Sequence, residues 1–404
     1  MGMKGLTGVL LLGTLLAAPA AWSAEIHGRS STQLLWFNND YTNNRRETDL
    51  AEYLRLSVTN LDKAGKASIY GYGRMTQDLD NGNGFNSRLY YLYGEYRDLF
   101  DKVDFRLGRQ FVNEEAGTAI VDGAQVTLKN VGPVAFSAFG GRNVIFDLDN
   151  EGGHGGNLAL GVSAYLQGFK ATDFEFSWFR KWDDWDIAQD MLGATFKQYL
   201  FNNIKIYGNG RYDLTAETFN ELLGGIKYFP LANLIFTGEY YQSYPTFDST
   251  SIYSVFAVDR YREAAFRVDY TINEMITLNG GYTAQFFQEG GKGHIYHLGC
   301  ILRPIDPLQL NVEYDNNQGY NGSTNGIIVD AYYDLTKALQ VSGGIAYDVY
   351  QRDSLLQDEI ARTYWLGGKY KLNKSMTASL RVENTVTDQF SSNVQGRFVF
   401  DYDF

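Results

Sequence analysis

The chain has 404 residues and carries 35 Lys and Arg against 47 Asp and Glu, a net charge of −12. That acidity weighs against a nucleic-acid partner, and its single Cys excludes an internal disulfide or a thiolate zinc site; no Cys-x-x-Cys-His is present to attach haem. With 30 Tyr, 26 Phe and 43 Gly but 6 Pro, the composition favours strands over disorder, and a mean hydropathy of −0.30 excludes a helical membrane bundle but not a barrel with a polar inner wall.

Residues 1–24 read as a secretory signal peptide. Lys4 supplies the positive start, Val9 to Leu16 a short apolar run, and Ala17 to Ala21 the small residues a signal peptidase accepts. No later stretch is long and apolar enough for a membrane helix. From Glu25 onward the dominant signal is period two. Leu54, Leu56 and Val58 alternate with Arg55 and Ser57; Ile204, Ile206 and Tyr212 with Lys205, Arg211 and Asp213. Phe266, Val268 and Tyr270 alternate with Arg267 and Asp269; Leu310, Val312 and Tyr314 with Glu313 and Asp315; Leu380 and Val382 with Arg381 and Glu383. Side chains on a strand point alternately to opposite faces, so each segment has one apolar and one polar wall. Residues 25–404 are therefore expected to form one all-β domain, a closed antiparallel transmembrane β-barrel.

Ten short connections rich in Asn, Asp, Pro or Gly punctuate the pattern: Leu61–Lys66, Leu99–Val103, Asn130–Pro133, Lys170–Asp173, Phe201–Asn203, Pro230–Asn233, Asn273–Met275, Pro304–Pro307, Thr336–Ala338 and Asn373–Ser375. Longer polar segments lie between them, at Asp78–Ser87, Asp147–Gly156, Ser249–Arg260, Asn316–Asn325 and Asp353–Ile360. Short turns at one end and longer loops at the other suit an outer-membrane barrel of about 16–22 strands, an even number, with 22 the best count. None of the loops is conspicuously long, and strands begin at once after the signal, so no segment is expected to close the lumen.

The last strand alternates Phe398, Phe400, Tyr402 and Phe404 with Arg397, Val399, Asp401 and Asp403. In this the chain resembles bacterial outer-membrane β-barrel proteins of porin type, whose final strand ends in an aromatic residue read by the barrel-assembly machinery. The segment from Arg106 to Gln110, followed by Asp122-Gly123, also looks like a strand–loop–strand piece of porin-like barrels. The resemblance implies an outer-membrane location, contact with outer-membrane lipids and the assembly machinery, and a water-filled path for ions or small hydrophilic solutes. The alternative it implies is the wide, porin-like sheath of a porin–cytochrome conduit, in which a multihaem cytochrome fills the lumen and carries electrons.

Candidate lumen-lining residues are Arg55, Lys205, Arg211, Asp213, Arg267, Asp269, Glu313, Asp315, Arg381 and Glu383, because such side chains set ion and solute preference in a wet channel. Both signs are present, so no sharp filter is visible. His294 and His297 fall on opposite faces of a strand and cannot share a metal, and Cys300, in phase with Leu298, points to lipid. His154 sits in the Gly-rich run Glu151 to Gly156 without a nucleophile at suitable spacing. No catalytic, metal or cofactor site is expected.

Overall fold

The computed structural model describes residues 24–39, 45–80, 85–146, 154–246, 260–288, 290–319, 322–351, 357–388 and 392–404. The signal-peptide reading of residues 1–24 and most of the loops at 147–156 and 249–260 fall outside these residues. Within them the chain is one sheet of 22 antiparallel strands, β1 to β22 in chain order, each bonded to its sequence neighbours, and β1 (Glu25–Asn39) closes the ring on β22 (Asn393–Asp403). Twenty-two is the number that ten turns imply, and all ten lie at one end of the ring, the turn end.

The turns are tight because their residues accept left-handed backbone. Lys170 and Ala171, then Phe201 and Asn202, have φ between 52° and 61°, the twist that matches antiparallel strands across links of two and three residues. At the other end, the loop end, the strands reach further than the polar composition suggests. β17 (Leu308–Gly319) and β18 (Gly322–Asp334) pair through Asn316↔Asn325 to Gly319↔Gly322, so the loop expected at Asn316–Asn325 is almost entirely ladder. Here Asn316 and Tyr314 donate across the strand pair to Asn325 Oδ1, which substitutes for apolar packing. Likewise β8 (His154–Phe169) begins inside the Gly-rich run.

The alternation sorts the two walls. Leu92, Leu107, Phe266, Leu298, Ile345 and Leu366 stand 50–70% exposed on the outer face, an apolar surface that only lipid can cover. Cys300 lies on that outer parity, opposite Leu278 and Val312. The candidate charges lie on the inner face, whereas the Arg180–Asp190 pair shares the outer parity of Phe176.

Closure runs along the ladder from Arg29↔Asp403 to Trp36↔Gly396 and is reinforced at its turn end. Gly28 and Phe404 exchange backbone hydrogen bonds of 2.8 and 3.0 Å, Arg29 grips Asp403 through two bonds of 2.6 and 3.0 Å, and the Phe404 ring stacks near Tyr402 at 5.6 Å. Replacing Phe404 by Ala removes the ring that covers Gly28 at the seam. Phe404→Ala is expected to lower the fraction of chain migrating as compact barrel in unboiled electrophoresis; unchanged folding yield would show the seam closes without it.

Candidate functional site

The lumen is not empty. β5 (Val103–Glu114) and β6 (Gly117–Val131) begin at the turn end as ordinary wall, then leave it. β5 pairs with β4 (Asn86–Leu99) only as far as Leu92↔Arg109, and β6 with β7 (Val134–Ile145) only as far as Val121↔Asn143. The β5–β6 ladder itself continues to Glu114↔Gly117, so the hairpin departs as a paired unit.

Glycine makes the bend possible. Gly108, Gly123 and Gly141 are ladder partners in one row across β5, β6 and β7. Gly108 has φ +125°, and a Cβ on Gly123 would fall on the Gly140 carbonyl and the Gly141 Cα, so no side chain fits where the strands cross closely. Beyond this row the hairpin lies over the inner wall as a page lies on the facing page. Its lumen-parity side chains Gln110, Val112, Glu114, Ala119 and Val121 become buried, while Phe111, Asn113, Thr118 and Asp122 become exposed toward the channel.

The buried face meets inner-wall residues of β7, β8, β9 (Thr172–Asp183) and β10 (Asp186–Leu200). Val112, Ala116, Ala119 and Val121 pack with Phe139, Ala159, Phe179 and Met191 in an apolar cluster inside a barrel that is elsewhere polar within. Polar groups pin the tip. The Ala116 amide donates to Ser177 Oγ at 2.8 Å and the Glu115 amide to Glu175 Oε1 at 2.7 Å. From β11 (Ile204–Asp213), Arg211 Nε donates to the Glu115 carbonyl at 2.7 Å and Asn209 Nδ2 to Glu115 Oε1 at 3.1 Å. Tyr165 donates its hydroxyl to Glu114. A buried, nearly saturated polar rim around an apolar centre is what fixes one position for such an element.

This corrects the expectation that no segment enters the lumen. The device is a hairpin whose link is only two residues, so loop length was the wrong signal. The informative one was phase. Apolar residues occupy positions 103, 105 and 107, and after Gly108 both 111 and 112 are apolar; on β6 residues 119, 120 and 121 are all apolar, and after Gly123 the apolar set is 124, 126 and 128. A one-residue change of phase moves the apolar set to the other face. The porin-like piece at Arg106–Gln110 and Asp122-Gly123 marks the hinge itself.

The ten lumen candidates all sit on inner parity, in different circumstances. Arg211 is spent on the hairpin tip and also faces Glu221 at 3.3 Å. Asp213 is buried and caps its own turn by accepting from the Thr215 and Ala216 amides at 2.8 and 3.0 Å. Arg267 pairs with Glu239; Arg381 pairs with Glu383 at 2.9 Å and lies 4.3 Å from the Trp365 ring. Asp315 meets His297 Nδ1 at 2.7 Å, whose Nε2 contacts Asn279. Lys205 lies over Tyr199 and Tyr207. Arg55, Asp269 and Glu313 complete the inner set. His294, on the outer face, contacts Tyr282 and is separated from His297 by the wall. Among the described residues no three His, Cys, Asp or Glu side chains are grouped to hold a metal.

The two signs occupy different arcs. Arg29, Arg55, Arg74, Arg88, Arg97 and Arg106 line the inner parity of β1, β2 (Arg45–Thr59), β3 (Ala67–Asp78), β4 and β5, where Arg97 and Arg106 converge on buried Glu95 at 2.5 and 2.7 Å. Glu313, Asp315, Asp330 and Asp348 line β17, β18 and β19 (Leu339–Gln351).

No family model and no curated protein matches the sequence. Solved structures do. A variant of the ferric enterobactin receptor PfeA from Pseudomonas aeruginosa aligns at TM-score 0.65 and 9% identity, over 95% of this chain and 81% of that one. A BenF-like porin from Pseudomonas fluorescens Pf-5 aligns at 0.50 and 10%, over 95% and 98%. At such identity the likeness concerns the fold.

Docking of the hairpin can be tested at two positions. A Cβ on Gly193 would fall on the Ala116 amide nitrogen, so Gly193→Leu should expel the tip, seen as lost hydrogen-exchange protection over residues 110–121 with wall strands unchanged. Phe179→Ala should weaken docking by about 3 kcal/mol or more, the usual cost of emptying a packed aromatic site; full protection in both variants would contradict the packing described. With its closed 22-stranded ring, apolar outer belt and charged, hairpin-narrowed interior, the chain has the closed outer-membrane-type β-barrel fold that it shares with the receptor and porin structures.

Proposed function

We propose that this barrel is a diffusion channel for ions and small hydrophilic solutes, narrowed by the β5–β6 hairpin. Twenty-two strands spaced about 4.8 Å apart and tilted by about 40° enclose a ring of roughly 40 Å, far wider than selective diffusion needs. The observation that carries the reading is that this chain fills part of its own lumen. The hairpin is held by its own apolar cluster and turns Phe111, Asn113, Thr118 and the Arg109–Asp122 pair, 2.8 Å apart, toward the solute path. The separated arcs of arginine and carboxylate add a field across the water without a closed ring of either sign.

The width alone supports a second reading, a sheath around a multihaem cytochrome, whose haem would have to come entirely from the partner. In that reading outer-membrane lipids and the assembly machinery remain the other partners, and the hairpin takes up space the cytochrome would otherwise fill. Planar-bilayer recording of purified protein decides between them. The channel reading expects steady conductance from the barrel alone, rising when residues 110–121 are replaced by a short Gly-Ser link or when Arg211→Ala loosens the tip. Absence of conductance together with co-purification of a haem-staining protein would favour the sheath.

A further inference from the structure

When the hairpin leaves the wall it leaves a slot. Above Leu92↔Arg109 on one side and Val121↔Asn143 on the other, residues 86–91 of β4 and 144–145 of β7 have no strand alongside on the facing flank among the described residues. β4 remains paired to β3 and β7 to β8, so each edge is held in the wall by its other neighbour.

Among the described residues, side chains bridge the slot. The Phe146 ring, just past β7, lies 6.3 Å from the Tyr90 ring and 4.9 Å from the Arg88 guanidinium. Tyr90 sits at the β3–β4 bulge, where the register shifts between Tyr72 and Gly73, and it stacks on Tyr72 at 4.9 Å. Bulges re-aim a side chain, and here the extra residue is brought to the gap. Arg109 caps one edge carbonyl, donating from Nη1 to Leu89 O at 3.3 Å. On the outer face Leu89, Leu92, Ile145 and Leu158 are exposed to lipid; on the inner face the displaced hairpin presents Phe111. The outer apolar belt and the Tyr90–Phe146 ring pair therefore border a seam without ladder hydrogen bonds among the described residues.

We propose that this slot is a lateral passage between the lumen and the leaflet at the loop end, taken by small amphipathic molecules. The polar head stays with the arginines of the inner wall while the apolar portion passes between Tyr90 and Phe146. Rotation of those two rings opens it, a faster and more local motion than separating paired strands. The passage depends on the barrel lying in a membrane and not on its conducting ions.

The test uses two lumenal cysteines in a Cys300→Ser background: Phe111→Cys on the hairpin that leaves the slot and Asp348→Cys on β19. In proteoliposomes a long-chain alkyl maleimide dissolved in the bilayer is compared with a small water-soluble maleimide. The alkyl reagent is expected to label Phe111→Cys faster than Asp348→Cys, and adding Phe146→Ala should raise the rate at Phe111→Cys alone. Equal alkyl labelling at both positions, or indifference to Phe146→Ala, would overturn the passage. A lumen closed to water would instead abolish labelling by the soluble reagent at both positions, a failure of the channel reading that leaves the alkyl comparison intact.

Discussion

An amide left unpaired in hydrocarbon costs several kcal/mol, and this constraint governs the whole molecule. It is why the chain must close on itself and why each of 22 strands bonds to its sequence neighbours. It is also why one pair of contacts, Gly28 with Phe404, carries weight out of proportion to its size. The hairpin is the informative exception. By folding inward it keeps its own ladder intact and satisfies its tip on Ser177, Glu175 and Arg211, but among the described residues it leaves one flank of β4 and of β7 without a ladder partner near the loop end. The structure answers with an arginine on one carbonyl and three side chains across the gap.

The hairpin also explains how a wide ring can serve as a narrow path. Its two faces have been assigned opposite roles from those of every other strand pair. What would be the wet side is sealed against Phe139 and Phe179, and what would be the lipid side now meets water with Asn113, Thr118 and Asp122. Swinging back into the wall would drive Arg109 and Asp122 into lipid and expose Val112 and Val121 to the channel. The narrowing is thus a fixed part of the fold, with charge enforcing it on one face and burial on the other.

Much of this was legible in the amino-acid order. Strand number followed from ten turns because Asn, Asp, Gly and Pro at tight links have few other uses, and the facing of Arg267 or Glu313 followed from alternation. Two things were not. Asn316–Asn325 read as loop because Asn is common in both turns and hydrogen-bonded rungs, and only register separates them. The inward hairpin was hidden because one glycine per strand shifts the phase, and a shift of one residue looks like noise until the partner strand shows the same shift. Asp213 illustrates a smaller gap: parity gives its side, whereas its use as a turn cap depends on the two amides that follow it.

The order of pairing has a consequence for how the barrel comes into being. Every ladder but one joins consecutive strands, so the wall can lengthen hairpin by hairpin at a small entropic cost per step. The remaining one ties residue 29 to residue 403, a separation of 374, and closing a loop of that length costs about 5 kcal/mol. Until that step succeeds the sheet has two bare edges, and every partial barrel is an open ribbon able to pair with the wrong chain. The chain therefore concentrates its commitment to a single copy at its two ends, far in sequence from the hairpin that shapes its interior.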